Sequence, residues 1–152
     1  MRKDTSNIVI KNRKASYEYE FIERLIAGIQ LKGTEIKALR QGRANIADSY
    51  CQFYRGELFV KELSISEYEW GNLNNHEPRR ERKLLLTSRE LGKLERKVKE
   101  SGLTIIVLKI FINDRGLAKV EIALAKGKKA YDKRETLKDK DARREMDRAS
   151  KH

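Results

Sequence analysis

Between Thr104 and Leu124 the chain carries a pattern that few folds can satisfy. Thr104 to Ile112 is dense in β-branched and aromatic residues, and Asn113-Asp114-Arg115-Gly116 supplies turn positions that tolerate a left-handed backbone. Ala118, Val120, Ile122 and Leu124 then alternate with Lys119 and Glu121, which predicts an antiparallel hairpin with one buried face. A second hairpin is predicted from Tyr50–Tyr54 to Leu58–Leu63 around Arg55-Gly56, and Ile8–Ile10 and Tyr19–Leu31 supply further strands.

Two helices interrupt the strands. Thr87 and Glu90 form a capping box, Leu86 and Leu91 are placed as a hydrophobic staple, and Leu91, Leu94 and Val98 give one apolar stripe ending at Gly102. The other helix runs from Thr34 to about Gln41, buries Ile36 and Leu39, and stops at Gly42. Many short antiparallel strands with few helices predict a mainly β fold, an OB-type antiparallel barrel with two or three short helices.

The patterning stops near Lys126. From Lys126 to His152 the apolar residues are only Ala130, Tyr131, Leu137, Ala142, Met146 and Ala149, among eleven Lys or Arg and six Asp or Glu. Such a segment buries too little surface to offset its ordering entropy. Asp139 with Arg143 and Asp141 with Arg144 nonetheless sit at helix-supporting spacings. The expected organisation is a body over 1–125 and a basic tail over 126–152, disordered alone and helical once bound.

Charge narrows the partners. The chain has 35 Lys or Arg against 23 Asp or Glu, a formal charge of +12, and an anionic partner such as nucleic acid would neutralise it. The longest apolar stretch, Leu103 to Ile112, is interrupted by Lys109 and is far shorter than the ~20 residues of a membrane span. The first residues lack a secretory apolar core, so a cytoplasmic location is expected, with no membrane partner. With one cysteine, Cys51, and two histidines, His76 and His152, there is no four-ligand zinc site, and no metal or cofactor is expected.

No catalytic constellation stands out. His76 lies in the turn-like Asn74-Asn75-His76-Glu77-Pro78, where a lone histidine reads as a solvated or locally hydrogen-bonded residue. Cys51 falls in a predicted strand and reads as a small hydrophobe, and no phosphate-cradling glycine motif is present. The chain is therefore not expected to be an enzyme. Four basic clusters are candidate phosphate contacts: Lys11-Asn12-Arg13-Lys14; Lys37 with Arg40 and Arg43; Arg79-Arg80-Glu81-Arg82-Lys83; and Lys126-Gly127-Lys128-Lys129.

Read together, further segments carry a resemblance to a known family. They are Asn12-Arg13-Lys14-Ala15, Ala27-Gly28-Ile29, Gly33-Thr34-Glu35-Ile36-Lys37 with Leu39-Arg40, Gly42-Arg43-Ala44-Asn45, and Asp48-Ser49-Tyr50. His76-Glu77-Pro78, Arg82-Lys83-Leu84-Leu85-Leu86, Arg89-Glu90-Leu91, Lys99-Glu100-Ser101-Gly102-Leu103-Thr104 and Ala125 through Glu135 complete the series. In this order the chain resembles the SmpB family, the small bacterial partner of transfer-messenger RNA in ribosome rescue.

The resemblance implies an oligonucleotide-binding barrel that holds the tRNA-like domain of transfer-messenger RNA. It also implies a tail that enters the empty mRNA channel of a stalled ribosome and folds there, with elongation factor Tu joining through the charged RNA. The protein is expected to act as a monomer. By matched position Asn12, Leu85 and Thr87 fall at RNA-binding sites of the family, beside Arg13, Lys14, Lys37, Arg40, Arg82 and Lys83 of the basic clusters. Lys128, Lys129, Tyr131, Asp132, Lys133 and Arg134 fall in the tail motif of the decoding centre, with Tyr131 set against a base. Thr87 has a second reading as the helix cap, and Leu85 a second reading as core.

Three positions depart from the family. Ile26 stands where a Glu is usual, which points to apolar packing in place of a polar RNA contact; Glu77 replaces an Asp, and Thr87 a common His. The competing reading is a general single-stranded RNA-binding or ribosomal OB-fold protein, distinguished by whether the tail contributes to tagging or only to affinity.

Overall fold

The computed structural model describes residues 8–71 and 75–128. The elements are β1 (Val9–Lys11), α1 (Ala15–Glu18), β2 (Tyr19–Ile29), α2 (Gly33–Arg40), β3 (Ala44–Asn45) and β4 (Tyr50–Tyr54), then β5 (Glu57–Lys61), β6 (Ser64–Ile65), β7 (Arg82–Leu85), α3 (Ser88–Ser101), β8 (Thr104–Ile112) and β9 (Ala118–Gly127). The strand pairs are antiparallel, and following them from neighbour to neighbour returns to the start. β8 pairs β4, β4 pairs β5, β5 pairs β7, β7 pairs β2, β2 pairs β9, and β9 pairs β8. β1 is the remaining strand of this seven-stranded sheet and lies along the second half of the β8 edge. This mainly β, ring-like sheet agrees with the OB-type fold expected from the alternating patterns, since closure leaves few strand edges open.

Both predicted hairpins form. β4 and β5 pair from Tyr50↔Lys61 to Tyr54↔Glu57. The two loop residues, Arg55 and Gly56, both have positive φ, 54° and 80°, as a two-residue turn matching the strand twist requires. β8 and β9 pair from Thr104↔Ala125 to Ile112↔Ala118. The composition boundary near Lys126 falls inside β9, whose pairing with β2 continues to Tyr19↔Gly127.

The expectation of one buried face on the β8–β9 hairpin needs correction. Ile105, Val107, Ile110, Val120, Ile122 and Leu124 fill the barrel interior, but Ile106, Leu108, Ala123 and Ala125 are buried too, on the outer face. Ala15 of the unforeseen helix α1, with Tyr19 and Phe21, covers them. Small alanines on β9 leave room for that cover, and a charge pattern read on one strand cannot reveal a lid supplied by another segment.

The predicted helices are both present. In α3, Thr87 Oγ1 accepts from Glu90 N (3.1 Å) while Thr87 N donates to Glu90 Oε1 (2.9 Å), and Gly102 ends the helix with φ 64°. Leu94 is buried, and Leu91 and Val98 pack against the core as the stripe predicts. In α2, which begins at Gly33, Leu39 is buried as expected, but the residues sealed from solvent with it are Ala38 and Glu35, with Ile36 only half-buried.

Candidate nucleic-acid interface

The outer face of β2 brings together residues that lie far apart in sequence. A register shift between Phe21 and Glu23 makes Ile22 the extra residue of a bulge. Phe21 thereby shares the outer face with Arg24, Ile26 and Gly28, while Leu25, Ala27 and Ile29 turn to the core. The Arg24 guanidinium sits 5.2 Å from the Phe21 ring centroid.

One end of this strip opens into a cleft of about 290 Å³, lined by Lys11, Arg13, Phe21, Arg24, Lys109 and Glu121 among others. Glu121 is the acidic side chain of the lining and lies 3.9 Å from Arg24 Nη1. The cleft joins four cations around an aromatic surface, a chemistry suited to phosphates flanking a base. Arg24 and Lys109 were not singled out from sequence. Period-two alternation places Arg24 with Ile26 and Gly28, but the bulge that adds Phe21 leaves no sequence signature.

Asn12 builds this corner from behind. Along the β8 edge, β4 takes Ile105 and Ile106 and β1 takes Lys109 to Phe111, leaving the carbonyls of Val107 and Leu108 between them. Asn12 fills the gap: its backbone N–H donates to Leu108 O (2.8 Å) and its Nδ2 to Val107 O (3.1 Å). Its Oδ1 is also buried, with no partner among the described residues. The side chain thus fixes the corner from which the exposed Arg13 and Lys14 project.

At the other end of the strip, β7 lies beside β2 with Gly28 opposite Leu85. Leu85 is 46% exposed and so is not core. A Cβ on Gly28 would stand 3.3 Å from Leu85 Cβ, so the glycine lets that side chain lie across the strand. Ile26 is 50% exposed on the same strip, which corrects the expectation of packing at this position. Lys83 shares the outer face of β7 and pairs with Glu57 (3.0 Å). Thr87 follows directly, exposed, with its hydroxyl engaged in the α3 cap.

Arg82 is not part of any surface, and its assignment to RNA is corrected. Its side chain is fully buried, and each of its N–H groups is used. Nε donates to Glu35 Oε2 (2.7 Å), Nη1 to Leu63 O and Arg80 O, and Nη2 to Pro78 O and Glu35 Oε2. Glu35 also accepts from Lys32 N and from Arg80. Burial alone would raise the Glu35 carboxyl, but hydrogen bonds from Arg80 and the Lys32 amide, with the charge of Arg82, hold it below the usual carboxylate range. Arg79 is paired as well, with Glu62 at 2.7 Å. Within this basic run Arg80 and Arg82 therefore tie α2 to β7 through Glu35, whereas Arg79 and Lys83 pair at the surface with Glu62 and Glu57.

Lys37 and Arg40 are exposed on α2, and neither lines the cleft. Lys128 is exposed after β9, its N–H bonded to Glu18 O. Lys129, Tyr131, Asp132, Lys133 and Arg134 lie outside the described residues. His76, expected as a solvated or local loop residue, is buried and bonded over long range: Nε2 donates to Ile65 O (2.8 Å), and Nδ1 meets Thr34 Oγ1 (2.9 Å). Cys51 is buried, and burial pushes its thiol pKa up, away from nucleophilic use. Among the described residues no helix is long and apolar enough to cross a membrane.

A family model described as SmpB protein matches residues 9–152. The chain belongs to the SmpB family. It is 59% identical over 146 residues to the SsrA-binding protein of Christiangramia forsetii, covering 96% of this chain and 93% of that one. Over 144 residues it is 59% identical to the SsrA-binding protein of Phocaeicola vulgatus, covering 95% and 96%. It is also similar to a chain in a solved structure described as "tmRNA-SmpB: a journey to the center of the bacterial ribosome", with TM-score 0.68 and 50% identity over 81% of this chain and 86% of that one. The SmpB match runs on through the tail, and of the positions linked to RNA by resemblance, Asn12 lines the cleft, Leu85 lies opposite Gly28, and Thr87 follows two residues later at the α3 cap.

Proposed function

We propose that the chain is an RNA-binding adaptor that holds the tRNA-like domain of transfer-messenger RNA and carries it to stalled ribosomes. The observation that supports this best is the continuous outer strip from the Arg13, Arg24 and Lys109 cleft to Leu85 and Thr87, in a chain whose SmpB match spans residues 9–152. Cations at one end neutralise phosphates, and exposed Ile26 and Leu85 give apolar surface for sugars and bases. Asn12 acts as the brace of the cationic corner. The protein acts in the cytoplasm without catalysis of its own, and elongation factor Tu joins through the charged RNA.

The tail, with Lys128, Lys129, Tyr131, Asp132, Lys133 and Arg134, occupies the mRNA channel and decoding centre. Its basic composition suits a channel walled by ribosomal RNA phosphates. The test of the binding half is selectivity at moderate salt. The full chain should bind the tRNA-like domain more tightly than an unrelated tRNA, and replacing Arg13 and Arg24 together by Ala should remove most of the difference. Equal affinity for both RNAs would favour a general RNA-binding protein.

A further inference from the structure

The one tryptophan of the chain, Trp70, is 65% exposed. Its indole meets Tyr68 edge-on at 5.5 Å between ring centroids, and Lys37 Nζ lies 5.6 Å from the Tyr68 ring. The turn that carries the two rings is built rather than loose. Asn75 Oδ1 accepts from Tyr68 N and Asn75 Nδ2 donates to Tyr68 O, so one side chain holds both polar groups of that residue. Gly71 N closes the turn on Tyr68 O (2.8 Å).

Gly71 also presses the turn onto α2. A Cβ there would lie 2.5 Å from Asn75 Nδ2 and 3.1 Å from Thr34 Cγ2, so a side chain would displace Asn75 from Tyr68 or shift the turn. The adjoining His76 bonds Thr34 and Ile65. A large aromatic side chain held on a fixed turn and left in water is the kind of surface that recognition uses. Glu67, Glu69 and Glu77 are nearby in sequence; Glu69 pairs with Arg43 at 3.8 Å, whereas Lys37 and Arg40 form no ion pair among the described residues.

We propose that Trp70 and Tyr68 form a stacking platform for an unpaired base of transfer-messenger RNA, with Lys37 of α2 placed for a flanking phosphate. The proposal rests on the function argued above, and position selects the RNA. The platform abuts Thr34, in the first turn of α2 just beyond the end of β2, where Gly28 faces Lys119. The chain leaves the body at the opposite end of that ladder, where Tyr19 faces Gly127. At ~3.3 Å per residue the two ends are roughly 30 Å apart. An RNA held along the outer strip, which ends at Gly28 and Leu85 on that side, therefore runs on toward the platform and away from the tail.

Because Trp70 is the only tryptophan, tryptophan emission reports on this position alone. The full chain is titrated with the tRNA-like domain while a labelled RNA reports binding independently by anisotropy. Emission should be quenched in step with binding. W70A and W70L should weaken binding about 5- to 100-fold, as expected for loss of one stacked base, while W70F stays close to the parent. Binding with unchanged emission and unchanged W70A affinity would overturn the platform and leave the adaptor function standing. W70L behaving like W70F would replace stacking by mere apolar contact and also overturn it. Quenching by small ribosomal subunits but not by the tRNA-like domain would show that the RNA was wrongly chosen. Absence of any anisotropy change would instead defeat the adaptor function itself.

Discussion

Glu35 and Arg82 meet inside the protein with neither side chain exposed, Arg82 Nε lying 2.7 Å from Glu35 Oε2. Two distant elements, the first turn of α2 and the start of β7, are tied by this contact. A buried pair of this kind adds little over well-packed apolar residues, but breaking one partner strands the other charge. E35Q keeps the shape and removes the charge, and should destabilise the chain by about 3–5 kcal/mol. Thermal melting should show a drop of roughly 10 °C or more. A change within 2 °C would mean that the pair is hydrated and unimportant.

The same carboxylate sets a pH dependence. Glu35 titrates below its ordinary range when folded, and so does Glu23, through hydrogen bonds from Lys97 and Lys93. A group with a depressed folded pKa binds its proton more readily when unfolded. Its stabilisation is therefore complete above the ordinary carboxylate range and is lost as pH falls through the depressed value. Melting temperature should fall on acidification more steeply for the parent than for E35Q. Parallel curves would contradict the assignment to Glu35.

Thr87 caps α3 whether or not it touches RNA. T87A should cost about 1 kcal/mol by chemical denaturation, and T87S should restore most of it. RNA affinity measured on the same variants separates the two roles. Affinity that tracks stability assigns Thr87 to the cap, and affinity lost in both variants at restored stability assigns it to RNA.

Leu85 makes the converse case. Because Leu85 is about half exposed on the outer face, L85D should change stability by less than about 1 kcal/mol. Affinity for the tRNA-like domain should fall at least several-fold in a binding titration. A loss of 2 kcal/mol or more, the size seen for core truncation, with unchanged affinity would place Leu85 in the core after all.

The hairpins and the α3 cap were legible in sequence because their signals are local. Arg55-Gly56, Thr87 with Glu90, and the alternation of Val120 and Ile122 each fix geometry within a few residues. Arg82 was misread for the opposite reason. Its neighbours are basic, and only the closure of β7 beside β5 and β2 shows that Arg82 and Leu84 point inward while Lys83 and Leu85 point out. His76 was misplaced likewise, since its partners Thr34 and Ile65 are distant in sequence. The β2 strip depended on bulges at Ile22 and Leu108, which redirect Phe21 and Lys109 without any turn residue to announce them.

On the proposed function the body holds transfer-messenger RNA and the tail acts on the ribosome. The most direct test is a truncation after Gly127, assayed beside the full chain for affinity to the tRNA-like domain and for peptide tagging on stalled ribosomes. We expect affinity within about threefold of the full chain and tagging abolished, since the cleft and strip lie wholly in the body while the tail is absent. Affinity falling in step with tagging, and equally for unrelated RNAs, would contradict it, and would make the tail a general electrostatic arm.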